Sequence, residues 1–223
     1  MKIENVNVSE ALRYMGYGKA AKIDDNILEL VYQCEKEILN EIRPLYTYKI
    51  FDLEKCNQGI QVKNTNLILT GNSILKHLES CNRAVFMAAT ISAGVDAYIR
   101  KQQLKGMIYG LIADTMASTL IEQVCNIAEE EIMSELACYS TWRFSPGYGD
   151  LPITIQRDFL NILQTQKKIG LTATATSILL PRKSVTAIMG LSEKPLPKGL
   201  RGCAVCNMNK TCQYRRRGEH CGI

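Results

Sequence analysis

Apolar positions along this chain follow two periods. Ile27, Leu30, Val31, Cys34, Ile38 and Ile42 recur every three or four residues, the spacing of one helix face. Asp24 and Asp25 stand where an N-cap belongs, and Pro44 stops the pattern. Tyr46 to Leu53 instead alternates and is rich in aromatic and β-branched residues, which predicts a strand. A short hairpin is expected around residues 59–62 and 66–70, then a short helix capped by Asn72 or Ser73 and running to Glu79. Arg83 to Thr90 reads as a buried strand by its length and composition. Ser92 to Lys105 and Met107 to Leu136 read as helices, the second free of proline and of glycine after Gly110. Ile153 to Lys168 predicts an amphipathic helix that ends near Gly170. Thr172–Leu180 and Ser184–Leu191 alternate around Pro181-Arg182-Lys183, which predicts an antiparallel hairpin.

Helices and strands in this order predict an α+β fold: a mixed, mostly antiparallel twisted sheet packed with helices. A doubly wound sheet needs regular β-α-β alternation and a glycine-rich first loop. The one strand-to-helix junction of that kind, Thr90-Ile-Ser-Ala-Gly94, lacks the GxGxxG pattern and reads as a plain turn.

The net charge of +5 is unevenly placed. From Lys194 to Ile223 there are seven basic residues and one acidic, a net of +6, which leaves −1 for the rest. We therefore divide the chain into a body over residues 1–192, a Pro/Gly linker over 193–200 and a basic tail over 201–223. No apolar run approaches the roughly 20 residues of a membrane span, and the N-terminus has no apolar signal region. A cytoplasmic protein without a membrane partner is the expectation.

The residues richest in chemistry are Arg143-Phe-Ser-Pro-Gly-Tyr-Gly-Asp150. Proline fixes one φ, glycine admits positive φ and close backbone approach, and the result is a rigid polar turn. Arg143 can fork onto a carboxylate and Tyr148 can stack on or hydrogen-bond to the rest of a small charged ligand. Asp114, Ser118 and Glu122 lie four residues apart on the long helix and so share one face; turned toward Arg143, that face supplies an anion. Asp150 is a nearer carboxylate, and Glu10 a more distant one.

The RFSPGYGD turn resembles the signature of the activation domain of cobalamin-dependent methionine synthase. Three other segments are similar to the same family: Glu10–Lys19, Ala84–Asp96 and Ile169–Ser192. The likeness extends roughly over residues 5–192 and is nearest to short, free-standing reactivation proteins. It implies that Arg143, Gly147 and Tyr148 bind S-adenosylmethionine, with Ser145, Pro146, Asp150, Asp114 and Glu122 as further candidates. It implies an accessory role in methionine synthase activity: holding S-adenosylmethionine over a cobalamin carried by a partner methionine synthase or other corrinoid protein. A low-potential donor such as flavodoxin or ferredoxin would supply electrons. Larger activation domains continue past the equivalent of Ser184–Ser192 into a further tyrosine-bearing stretch; this chain turns instead into Lys-Pro-Leu-Pro-Lys-Gly199.

Nine cysteines in a chain with no secretory signal do not read as a disulfide framework. Cys34, Cys56, Cys81, Cys125 and Cys138 are scattered among apolar neighbours and read as small hydrophobes. Cys203-x2-Cys206-x5-Cys212-x8-Cys221 differs: four thiolates in a short basic segment suit a metal, which would supply the organising energy. Zinc and an iron–sulfur cluster both accept four thiolates; the nearby Lys210 and Arg215–Arg217 would offset a negative cluster, and His220 is an alternative to Cys221. A binding or redox module acting on protein or nucleic acid is the rival reading. Tyr214 is the tail's one aromatic for base stacking, which weighs against nucleic acid. No HExxH, Walker A, GxSxG or paired-carboxylate motif occurs, and the only histidines are His77 and His220, so no catalytic residue is assigned.

Overall fold

The computed structural model describes residues 1–17, 22–196 and 210–211. The expected α+β architecture is present. Strands β1 (Leu45–Cys56), β2 (Gly59–Val62), β3 (Ile68–Leu69), β4 (Arg83–Thr90), β5 (Tyr139–Ser140) and β8 (Ser184–Ser192) form a six-stranded sheet in the order β3-β2-β1-β4-β8-β5. Every pairing in it is antiparallel. Strands β6 (Thr172–Ala173) and β7 (Leu179–Leu180) form a separate two-stranded ribbon.

β4 sits at the centre and divides the molecule. Its side chains alternate: Val85, Met87 and Ala89 enter one core, while Ala84, Phe86 and Ala88 enter the other. The first core is closed by helices α1 (Val8–Tyr14), α2 (Asp25–Glu41), α4 (Ala93–Lys105) and α5 (Met107–Ser134). The second is closed by α3 (Asn72–His77), α6 (Gln156–Leu163) and α7 (Thr165–Ile169). Burial on both faces explains why β4 reads as a continuous apolar run rather than an alternating one.

α5 is the backbone of the first layer. Its buried face is rich in small residues, among them Ala113, Ala117 and Ala128. Gly110 lets α4 approach closely: a Cβ there would lie 2.6 Å from Gln103 Cγ and 3.1 Å from its Cα. The far end of α5 is tied to β1 by two phenol–carboxylate bonds, Tyr46 to Glu131 at 2.6 Å and Tyr48 to Glu135 at 2.7 Å. The Glu131 bond, then burial, pushes the Tyr46 hydroxyl up to about 12. No helix among the described residues is long and apolar enough to cross a membrane.

Three expectations from local pattern are corrected. The helix over Ile153–Lys168 is broken: Gln164 adopts a left-handed conformation (φ 55°, ψ 40°) and separates α6 from α7. The buried positions change phase at the break, from Gln156, Phe159, Leu160 and Leu163 in α6 to Thr165 and Ile169 in α7, so the turn at Gln164 is what lets both pieces face the same core. Thr172–Leu180 does not pair with Ser184–Leu191. It folds back on itself as β6 and β7, while β8 takes the central place beside β4, where its apolar residues are buried. Neither Asn72 nor Ser73 caps α3 with its own side chain; Gly71 occupies the N-cap and the cap comes from elsewhere in the chain.

Phe86 is fully buried between Phe51 (ring centroids 5.2 Å apart, edge-on) and Phe159 (5.1 Å). Phe86→Ala is expected to cost about 3–5 kcal/mol, the range for an aromatic removed from a packed core. A lowered urea midpoint with an unchanged slope is the check.

Candidate functional site

The turn singled out by composition hangs on the sheet. After β5 the chain runs along β8. The Thr141 amide donates to Gly190 O at 2.9 Å, and Phe144 exchanges two backbone bonds with Ile188 at 2.9 and 2.8 Å. This bridge sets the side-chain directions. Phe144 is buried in the second core, and Arg143, one residue earlier, faces the other way onto α5.

Arg143 lies across a ladder of acceptors. Its Nη1 donates to Glu129 Oε2 at 2.7 Å; its Nη2 donates to Asn126 Oδ1 at 2.8 Å and to Glu122 Oε2 at 3.3 Å. These three residues occupy positions i, i+4 and i+7 of α5 and therefore one face. Glu122 is the looser partner, with half its side chain exposed. Beneath the ladder, burial and then the Glu122 charge push the Cys125 thiol up to about 12, so it stays protonated.

Beyond Arg143 the chain reverses tightly. The Tyr148 amide donates to Ser145 O at 3.0 Å and the Gly147 amide to Leu151 O at 2.9 Å. Gly147 has φ 91°, a conformation glycine adopts without strain. Pro146 is buried, Ser145 is partly covered, and Tyr148 is 51% exposed. The Tyr148 ring lies 6.4 Å from Trp142 and 5.9 Å from Phe144. His77 closes this aromatic group, 4.8 Å from Trp142 and 4.9 Å from Phe144, with Nε2 at 2.7 Å from the Thr141 hydroxyl.

α1 brings a third set of charges. Glu10 chelates Arg13 through Nε at 2.8 Å and through Nη2. Burial and then the Glu10 charge raise the Tyr14 hydroxyl to about 12. The Asn7 amide at the start of α1 donates to Gln123 Oε1 at 3.0 Å, which seats α1 on the turn of α5 that carries Glu122. The Glu10–Arg13 pair on α1 and the Glu122–Glu129–Arg143 set on α5 are thus borne by two helices packed on each other.

Two sequence candidates are engaged elsewhere. Asp114 lies eight residues before Glu122, about 12 Å along the helix axis. It holds Lys183 Nζ at 2.9 Å, and the same ammonium donates to Ser118 Oγ at 2.8 Å. Asp150 caps α3: its Oδ2 accepts from the Asn72 amide at 2.7 Å and its Oδ1 from the Ser73 amide at 2.8 Å. Pattern reading missed Asn126, Glu129 and Lys183. The i, i+4, i+7 series from Glu122 was the available signal for the first two; nothing local marks Lys183. Cys203, Cys206, Cys212, Cys221 and His220 lie outside the described residues. Among the described residues no group of three or more His, Cys, Asp or Glu is placed to hold a metal.

No protein-family model matches this chain, and no curated protein matches it. A solved structure does: the crystal structure of the MetH reactivation domain bound to AdoHcy, with a TM-score of 0.55 and 14% sequence identity. The match covers 97% of this chain and 85% of that one. The two share their fold.

The amide bonds from Ser73 and Asn72 hold the Asp150 carboxyl below its usual range. A lowered folded-state value adds stability above the unfolded value of 3.8, and that stability is lost as pH falls through the folded value. Asp150→Asn is therefore expected to lower the thermal midpoint at neutral pH, with the gap from the unsubstituted protein closing on acidification. Melting curves from neutral pH to below the folded value check this.

Proposed function

We propose that this chain binds S-adenosylmethionine where α1, α5 and the Arg143–Tyr148 turn meet, and presents it to a cobalamin carried by a partner protein. One observation carries the reading: an Arg-x3-Gly-Tyr turn lies across an acidic helix face, in a fold shared with a reactivation domain bound to AdoHcy. The charges suit such a ligand. Three carboxylates (Glu10, Glu122, Glu129) face two guanidiniums (Arg13, Arg143), one acid in excess, and S-adenosylmethionine carries one carboxylate against an ammonium and a sulfonium. In this reading Arg143 takes the ligand carboxylate by exchanging its loose Glu122 contact, and Glu122 then turns to the cationic end. Tyr148 packs on the ribose or adenine, and Gly147 allows the backbone to come close.

The role that follows is reactivation of a corrinoid methyltransferase such as methionine synthase. The partner's corrinoid, reduced by a low-potential donor of the flavodoxin or ferredoxin kind, would supply the nucleophile that takes the S-methyl group, with S-adenosylhomocysteine leaving as a neutral thioether. This chain contributes binding and alignment, which convert the transfer into an effectively intramolecular step. No acid or base is required of it, consistent with the sequence, where no catalytic motif was found.

A second reading concerns the tail. Cys203, Cys206, Cys212 and Cys221 form a four-thiolate set in a strongly basic segment, which favours a zinc or iron–sulfur centre for docking or electron transfer.

Calorimetric titration of S-adenosylmethionine tests the first reading. Saturable binding is expected, weakened roughly tenfold by Tyr148→Ala, the scale of one lost aromatic contact, and more by Arg143→Ala. Absence of binding by the folded chain rejects this site. For the tail, anaerobic purification with metal analysis and an absorption spectrum is expected to show a stoichiometric brown cluster or colourless zinc. Cys203→Ser with Cys206→Ser is expected to abolish it without altering ligand binding.

A further inference from the structure

A cleft of about 640 Å³ opens on the other layer of the molecule, between α6, α7 and β6. It shares no residue with the site above. Its volume falls within the roughly 300–1,000 Å³ of small-molecule sites. Leu160 and Leu171, both buried, form its floor. Arg157 and Lys167 line it with the amides of Asn161 and Gln164, and among the described residues no carboxylate does.

The two cations are not committed to acids. Among the described residues neither Arg157 nor Lys167 forms an ion pair. Arg157 is nonetheless oriented, because its Nε donates to Thr174 O at 3.2 Å. That bond leaves both Nη groups to present a fork. The wall's corner is fastened as well. Gln164 holds its left-handed conformation at the α6–α7 corner, uncommon for a residue with a side chain. The buried Thr165 hydroxyl fastens that corner by donating to Leu171 O at 2.8 Å. Backbone of this kind, held by its surroundings, recurs at ligand sites.

We propose that this cleft is a second binding site, for a small organic anion with an apolar body. The anionic head, carboxylate or phosphate, is held by Arg157 and Lys167. The apolar body lies on Leu160 and Leu171, and the Asn161 and Gln164 amides fix its orientation. The proposal is independent of S-adenosylmethionine binding.

The test uses the full chain, isotopically labelled, with phenyl phosphate and benzoate as anionic probes and benzyl alcohol as the neutral control. At least one anion is expected to move the amide signals of residues 157–173 saturably, with the alcohol roughly tenfold weaker. Arg157→Gln with Lys167→Gln should remove the saturable response while its spectrum elsewhere stays unchanged. Both residues are exposed, so the variant keeps its packing. Which anion binds tighter identifies the head group. The proposal is overturned if neither anion gives saturable shifts in 157–173, if benzyl alcohol binds equally well, or if the double variant responds undiminished. The comparison of charged and neutral probes stands on the unsubstituted protein alone.

Discussion

Everything in this fold is arranged about β4, which is buried on both faces. A strand with one solvated face supports one core; β4 supports two, dividing its residues by the pleat alone. Val85, Met87 and Ala89 serve the four-helix side, and Ala84, Phe86 and Ala88 serve the opposite side. A shift of one residue in its pairing with β1 or β8 would exchange the two sets, placing Phe86 among residues packed to receive Val85 and Met87. The antiparallel register over Arg83–Thr90 on both neighbours is thereby fixed by volume as well as by hydrogen bonds.

That register reaches the Arg143 turn, the proposed ligand site, through β8. The Arg143 turn is fastened to Ile188, itself paired with Phe86, so the turn inherits its position from the centre of the sheet. On its other side the turn is held by α5 through Glu129 and Asn126. The turn is therefore held from both layers: Arg143 reaches α5 on the side of the first core, and Phe144 anchors in the second. Asp150 and Lys183 extend the same logic. Each is charged and each ties a loop to a helix. Asp150 caps α3 and Lys183 joins the 181–183 turn to α5.

The two proposed ligand sites lie on opposite layers and differ in charge. Where α1, α5 and the turn meet, carboxylates outnumber guanidiniums. Between α6, α7 and β6 the lining among the described residues holds cations and no acids. A cationic sulfonium ligand and an organic anion would each find one favourable site and one unfavourable, so the chain can discriminate between them without precise shape.

The sequence by itself determined the class of fold and most of its longer elements, though not α1, β5 or the break between α6 and α7. The three- and four-residue spacing of Ile27 to Ile42, the alternation of Tyr46 to Leu53 and the unbroken apolar run in β4 are local records of which faces are buried. The Arg143–Asp150 turn was legible for the same reason, since glycine, proline and charge in eight residues exclude a regular element. What only the tertiary structure decided is which groups meet. Asp150 caps amides 77 and 78 positions away, and Lys183 reaches Ser118 across 65. Arg143 chose Glu129 and Asn126 beside the anticipated Glu122 because the bridge to Ile188 aims it there. Residues 172–180 fold back on themselves as β6 and β7, because β8 is paired on its two edges with β4 and β5. Periodicity states that a face is covered but not by what; partner choice depends on register and packing across the whole chain, which no local window contains.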